Sequence, residues 1–277
     1  MWLVVVGICS VQLGAGIAKN LFDDAAPTTL VWLRLAASSV VLATVVRPTL
    51  RGRTTRDWQT AVAFGLTLGV MNWAIYQSFA RIPLGIAVTI EFLGPLTLAV
   101  VGSRRPRDLV WAVLAAIGVA LLGVERGQLS WSGVGFALLA AATWAAYILL
   151  SADTGRRWPG LDGLTIASVV ATVVLTPFLI AFSGRGIGDP RVVVLGALVG
   201  LLSSVVPYSC EITALRTIRP SLFGILMSIE PAAAALAGIL VVHEFLHAVQ
   251  WLALACVVVA SVGATRAESR LTEPAPD

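Results

Sequence analysis

The stretch Met71–Pro95, MNWAIYQSFARIPLGIAVTIEFLGP, decides the fold. It reads as the end of one apolar helix, a short turn at Arg81, Ile82 and Pro83, and most of the next helix. Glu91 stands inside that second helix between Ile90 and Phe92. A carboxylate at bilayer depth costs several kcal/mol, so it faces a cavity or a partner and marks a working position. Pro95 follows four residues later and offers no N–H, which leaves the Glu91 carbonyl without its helical partner. A free carbonyl and a carboxyl at one depth need protein or a water-filled cavity around them.

The rest of the chain reads as scaffold for that cavity. Of 277 residues, 58% are hydrophobic and 12% charged, with a mean hydropathy of +0.90. Soluble domains carry roughly 25% charged residues, so this composition points to an all-α integral membrane protein. A span needs roughly 20 apolar residues. Ten are expected: Trp2–Phe22, Thr28–Val46, Gln59–Ala80, Leu84–Gly102, Leu109–Val124, Ser132–Ser151, Leu161–Phe182, Arg191–Ala214, Ser221–Val242 and Ala248–Thr265. No basic segment precedes the first apolar run, so it reads as a span and not as a signal peptide. The residues after Arg266 are polar and read as a disordered cytoplasmic tail, 267–277.

A net charge of +4 raises the question of a nucleic-acid partner, and its distribution answers it. With the N-terminus inside, the inner segments hold Arg47, Arg51, Arg53, Arg56, Arg104, Arg105, Arg107, Arg156, Arg157, Arg216, Arg219, Arg266 and Arg270. The outer loops hold only Arg81, Arg126, Arg185 and Arg191. That bias places both termini in the cytoplasm and gives a partner in the lipid bilayer, not a nucleic acid. Cys9, Cys210 and Cys256 are far apart in apolar runs and read as buried apolar side chains.

The halves 1–127 and 128–266 resemble each other. Placing Arg81 on Arg216 puts Gly65 on Gly200, Trp73 on Tyr208 and Tyr76 on Glu211; one gap then puts Pro95 on Pro231. Five spans per half invert the second half. An inverted repeat with prolines in matching helices points to a transport site at the repeat interface. Gly65-x-x-x-Gly69 and Gly196-x-x-x-Gly200 lie on the paired third and eighth spans, where small residues permit close helix contact.

Glu91, Glu230 and Glu211 are the candidate carriers of a substrate ammonium or a proton. The bland alternative is a neutral, hydrogen-bonded carboxyl tying helices together. Lys19, the only lysine, and Arg34 either recognise a substrate carboxylate, pair with a glutamate, or extend to the headgroups. Gln12, Asn72, Tyr76, Trp144, Tyr147 and Tyr208 are the polar and aromatic residues within spans that an amphoteric solute would need. His243-Glu244-Phe245-Leu246-His247 matches H-E-x-x-H, the zinc-protease pattern, and Leu161-Asp162-Gly163 resembles the aspartate ligand motif of intramembrane proteases. The motif falls between the ninth and tenth spans, so a membrane-embedded protease is a remote alternative. No phosphate-binding loop is present, so any active transport is secondary, with no cofactor expected.

Several motifs carry a family resemblance. GAGIAKNLF (14–22), LVWLRLA (30–36), the opening stretch, GSRRPRDLVW (102–111), ATWAAYILLS (142–151), VPYSCEITALR (206–216) and FGILMSIEPAAAALAG (223–238) fall in eight of the ten expected spans, within a similarity that covers essentially the whole chain. They resemble the threonine/homoserine exporters of the EamA family, in the drug/metabolite transporter superfamily. The resemblance implies two inverted five-helix EamA repeats in a bacterial inner membrane, alternating access, and proton-coupled efflux of small amphipathic metabolites. It leaves the substrate and the oligomeric state, monomer or homodimer, open. Glu91, Glu211, Glu230, Tyr208 and Lys19 fall inside the matched motifs. His243-Glu244 resembles a Gly-Glu pair that ends the ninth span in EamA repeats, which makes the H-E-x-x-H pattern accidental.

Overall fold

The computed structural model describes residues 2–103, 109–124, 130–181, 185–207, 210, 214 and 220–272. The described residues form helices joined by short connections and contain no strand. The spans are α1 (Trp2–Asn20), α2 (Pro27–Val46), α3 (Thr55–Phe79), α4 in two parts, α4a (Leu84–Glu91) and α4b (Leu93–Ser103), and α5 (Leu109–Val124). They continue as α6 (Trp131–Arg157), α7 (Asp162–Ala181), α8 (Pro190–Gly200, then a π-helical turn Leu201–Val205), α9a (Pro220–Met227), α9b (Glu230–Ala237, then a π-helical turn Gly238–Val242) and α10 (Ala248–Thr272). The last helix runs past Arg266 to Thr272, so residues 267–272 are helical and not part of the disordered tail expected at 267–277.

Local chemistry fixes several helix ends. The Thr54 hydroxyl accepts the Asp57 N–H and the Asp57 carboxylate accepts the Thr54 N–H, a reciprocal cap that starts α3 earlier than hydropathy alone suggests. Those bonds hold the Asp57 carboxyl below its ordinary range. Asp189 caps α8 through the Arg191 N–H, ahead of Pro190 in the first turn.

The two helix breaks follow the prolines. α4a stops at Glu91, four residues before Pro95, and α9a stops at Met227, four residues before Pro231. In each case the carbonyl four residues back has no N–H to receive, and the helix turns there before resuming. The breaks bring Glu91 to the end of α4a and Glu230 to the start of α9b.

Helix packing repeats between the halves. α3 packs on α6 and α7, and correspondingly α8 packs on α1 and α2. α4 packs on α6 as α9 packs on α1, while α2 meets α7, α5 meets α10 and α4a meets α9b across the pseudo-twofold. The glycine motifs make equivalent contacts: Gly65 and Gly69 lie against α7, Gly196 and Gly200 against α2. α4a crosses α9b at Gly85, where an added methyl would collide with the Ala235 backbone.

Gly65→Val is expected to be destabilising. Its Cβ would sit 2.6 Å from the Ala167 carbonyl oxygen, so α3 and α7 must separate. Overpacking of this kind costs about 1–3 kcal/mol. A thermal melt in detergent should show a clear fall in Tm for Gly65→Val and none for Gly135→Ala, which meets nothing within 4 Å.

Seven described helices are long and apolar enough to cross a membrane. The outward faces hold Val40, Val113, Leu149, Val173 and Leu240, each more than half exposed. Such a belt would be a liability in water and is the ordinary lipid-facing surface of a bundle.

Candidate functional site

The prolines place the site by placing the two breaks. A cavity of about 240 Å³ lies between the halves beside them, with Glu91 and Glu230 on its wall. Gln12 of α1, Arg34 and Ser38 of α2, Asn72 of α3, Trp144 and Tyr147 of α6, Ser168 of α7, and Ser203 and Ser204 of the α8 π-turn complete its polar lining. Leu68, Val88 and Met227 are among the apolar walls. The volume falls below the roughly 300–1,000 Å³ of drug-sized sites, which suits a small solute.

The carboxyls stand in distinct surroundings. Glu230 is buried, and its Oε1 accepts the Gln12 Nε2–H at 3.2 Å. Glu91 faces the cavity from the broken end of α4a and interacts electrostatically with Glu230 and Arg34. Asn72 donates its side-chain N–H to the Leu68 carbonyl of its own helix, 2.9 Å away, so that donor is not presented to the cavity. Trp144 meets Phe92 edge to face at 5.4 Å, which fixes the wall beside Glu91. Tyr147 meets Phe64 at 5.0 Å. Tyr147 also lines a second cavity of about 170 Å³ between the inner ends of α6 and α7.

Arg34 supplies the cavity's cation. Its guanidinium lies 5.7 Å from the centre of the Tyr76 ring, and Nη2 is 3.5 Å from the Ser203 carbonyl. Tyr76 itself is wholly buried behind Arg34 and does not line the cavity.

Lys19 is not in the site. Its Nζ forms a 2.5 Å ion pair with Glu244 and donates to the Ile82 carbonyl at 2.7 Å. Glu244 also accepts the Leu84 N–H at 2.9 Å, and Asn20 donates to the Val241 carbonyl at 2.8 Å. These bonds tie the outer ends of α1, α4 and α9 into one clamp spanning both repeats. Lys19 had three possible roles at the level of sequence, and its partner Glu244 is far along the chain. Only the fold brings them together.

The clamp also disposes of the protease alternative. Residues 243–247 are not helical, so His243 and His247 do not share a helix face. Glu244 is committed to Lys19, and Asp162 lies at the opposite end of the bundle, accepting the Thr49 N–H and pairing with Arg53. No group of metal-ligating side chains occurs among the described residues. Tyr208 and Glu211, both expected in the site, lie outside the described residues.

Sequence reasoning passed over Ser38, Ser168, Ser203 and Ser204. Serines are unremarkable in apolar helices, and the signal that could have found Ser203 and Ser204 was their place opposite Leu68 and Gly69 in the repeat alignment.

Known proteins settle the family. The EamA-like transporter family matches residues 131–266. The threonine/homoserine exporter RhtA of Escherichia coli strain K12 is 37% identical over 98% of this chain and 94% of its own length. The chain belongs to the EamA family of transporters. The RhtA of Salmonella typhimurium strain LT2 is 36% identical over 96% of the chain and 92% of its own length. A crystal structure of a protein 18% identical, covering 98% of this chain and 99% of its own, aligns with a TM-score of 0.66 and shares the fold. As an EamA transporter, the protein is a multi-pass membrane carrier and not an enzyme. The clamp and the paired helix breaks are thus features of a transporter.

Proposed function

We propose that the protein exports small neutral amino acids of the threonine and homoserine type from a bacterial cytoplasm, by alternating access and in exchange for protons. The 37% identity to RhtA over nearly the whole chain carries this reading. The cavity supports it independently. A free amino acid carries an ammonium and a carboxylate, and a site for it needs opposite charges in one small space. Glu91 and Glu230 offer the negative side and Arg34 the positive side. Proton binding at a glutamate competes with the substrate ammonium for one carboxylate, so loading either releases the other.

The clamp belongs to the same cycle. Loop charge puts Lys19, Ile82 and Glu244 at the outer end, so this conformation is closed outward with the cavity beneath the closure. Release requires the Lys19–Glu244 pair to part. The rings of Phe64 and Tyr147, between the cavity and the smaller inner one, stand on the path to the cytoplasm.

Counterflow tests the substrate without reference to protons. Purified protein in liposomes preloaded with unlabelled threonine should accumulate labelled threonine transiently, and external homoserine should suppress it. No counterflow with either amino acid, from protein shown to be inserted, would remove this substrate class.

A further inference from the structure

We infer that Arg34, with Ser203 beside it, forms a dedicated subsite for the substrate's free carboxylate, and that Tyr76 positions Arg34 from behind. The inference rests on the amino-acid reading above and adds a chemical requirement: a solute without a carboxylate is not carried.

The first observation is a guanidinium without an ion-pair partner. Arg34 lies within α2, faces the cavity, and has no carboxylate within ion-pair distance among the described residues. Its Nε–H is buried and lacks a hydrogen-bond partner among those residues. Glu91 interacts with Arg34 only from beyond ion-pair distance, so the guanidinium keeps donors free inside a bilayer, where a charge is costly and is held to bind an opposite charge. Lys19, the other candidate, is spent on Glu244.

The second observation is the Ser203 hydroxyl. Ser203 is 94% buried, lines the cavity, and its Oγ has no partner among the described residues. Glycine at 14 leaves it none: a methyl there would sit 2.5 Å from Oγ. The residue stands on the π-turn Leu201–Val205, and π-turns recur at functional sites because they redirect side chains. The first repeat has Leu68 at the aligned position, so the polar group belongs to one side of a site that the pseudo-symmetry would otherwise make alike.

Together these groups supply an N–H and an O–H from two helices, joined by the 3.5 Å approach of Arg34 Nη2 to the Ser203 carbonyl. A planar guanidinium and a hydroxyl donor match the two oxygens of a carboxylate. Tyr76 holds the guanidinium by its ring face, and its ring is fixed in turn against Phe22 and Phe79. Glu91 and Glu230 then take the ammonium, which orients the amino acid across the cavity.

The test is competition in the counterflow assay, using threonine and threoninol, in which the carboxylate is replaced by a hydroxymethyl group. Against wild type, threoninol should compete at least thirtyfold less well than threonine. Arg34→Gln should weaken threonine about thirtyfold or more while leaving threoninol unchanged, so that discrimination disappears. Ser203→Ala should shrink the same ratio by about three- to tenfold. Tyr76→Leu should lower it too, and Tyr76→Phe, which keeps the ring, should restore it; a merely structural role would change both solutes together. Equal competition by threoninol in wild type overturns the inference without any variant, and so does an unchanged ratio in Ser203→Ala if Arg34→Gln fails to insert. Absence of any amino-acid counterflow in wild type sinks the proposed function and this subsite with it, whereas threonine counterflow without discrimination sinks the subsite alone.

Discussion

Glu91→Gln is expected to abolish threonine transport while leaving an inserted, folded protein. The substitution keeps shape and hydrogen-bonding capacity at the end of α4a and removes only the charge and the titratable proton. In the proposed cycle that carboxyl meets both the substrate ammonium and the exchanged proton. Breaking a buried charge pair by removing one partner costs about 3–5 kcal/mol. At about 1.4 kcal/mol per tenfold, the transport rate at low substrate should fall at least about a hundredfold. Glu91→Asp should retain part of it. Rates for Glu91→Gln within a few-fold of wild type, at matched protein levels, would mean that Glu91 only ties helices together.

The second large effect is at the outer clamp. Lys19→Glu sets two carboxylates against each other where the structure has a 2.5 Å ion pair. Losing a partly buried pair costs about 2 kcal/mol or more. A shift of that size changes the ratio of two conformations about thirtyfold. The outward-closed state should lose population, and transport should fall by about tenfold or more. Exchanging the two residues, Lys19→Glu with Glu244→Lys, should recover most of the rate. Recovery distinguishes a gate from a substrate-binding lysine, because a glutamate at 19 cannot bind a carboxylate. If the exchanged protein stays as inactive as Lys19→Glu alone, the clamp is not a gate.

Much of the fold was legible because its causes are local. Proline lacks an N–H wherever it stands, so Pro95 and Pro231 located both helix breaks and with them the two acids. Gly65 and Gly200 announced close contacts, and the packing makes them equivalents. Pro177 shows the limit of the same rule, since α7 continues through it. The site was less legible because its pairings are distant in sequence. Nothing near Lys19 indicates Glu244, and nothing near Arg34 indicates Ser203 or Tyr76. The H-E-x-x-H spacing misleads for the same reason: it is a pattern of neighbours, and the chain there is not helical. Tyr76 was grouped with cavity residues by its polarity, and burial puts it one layer behind.

Everted membrane vesicles test the central claim most directly, because their lumen stands for the outer side. With the lumen made acidic, protons leave as substrate enters. Labelled threonine should then accumulate above its external concentration, and a protonophore should collapse the accumulation. Threonine entry that only equilibrates, equally fast with and without the gradient, would contradict proton-coupled export.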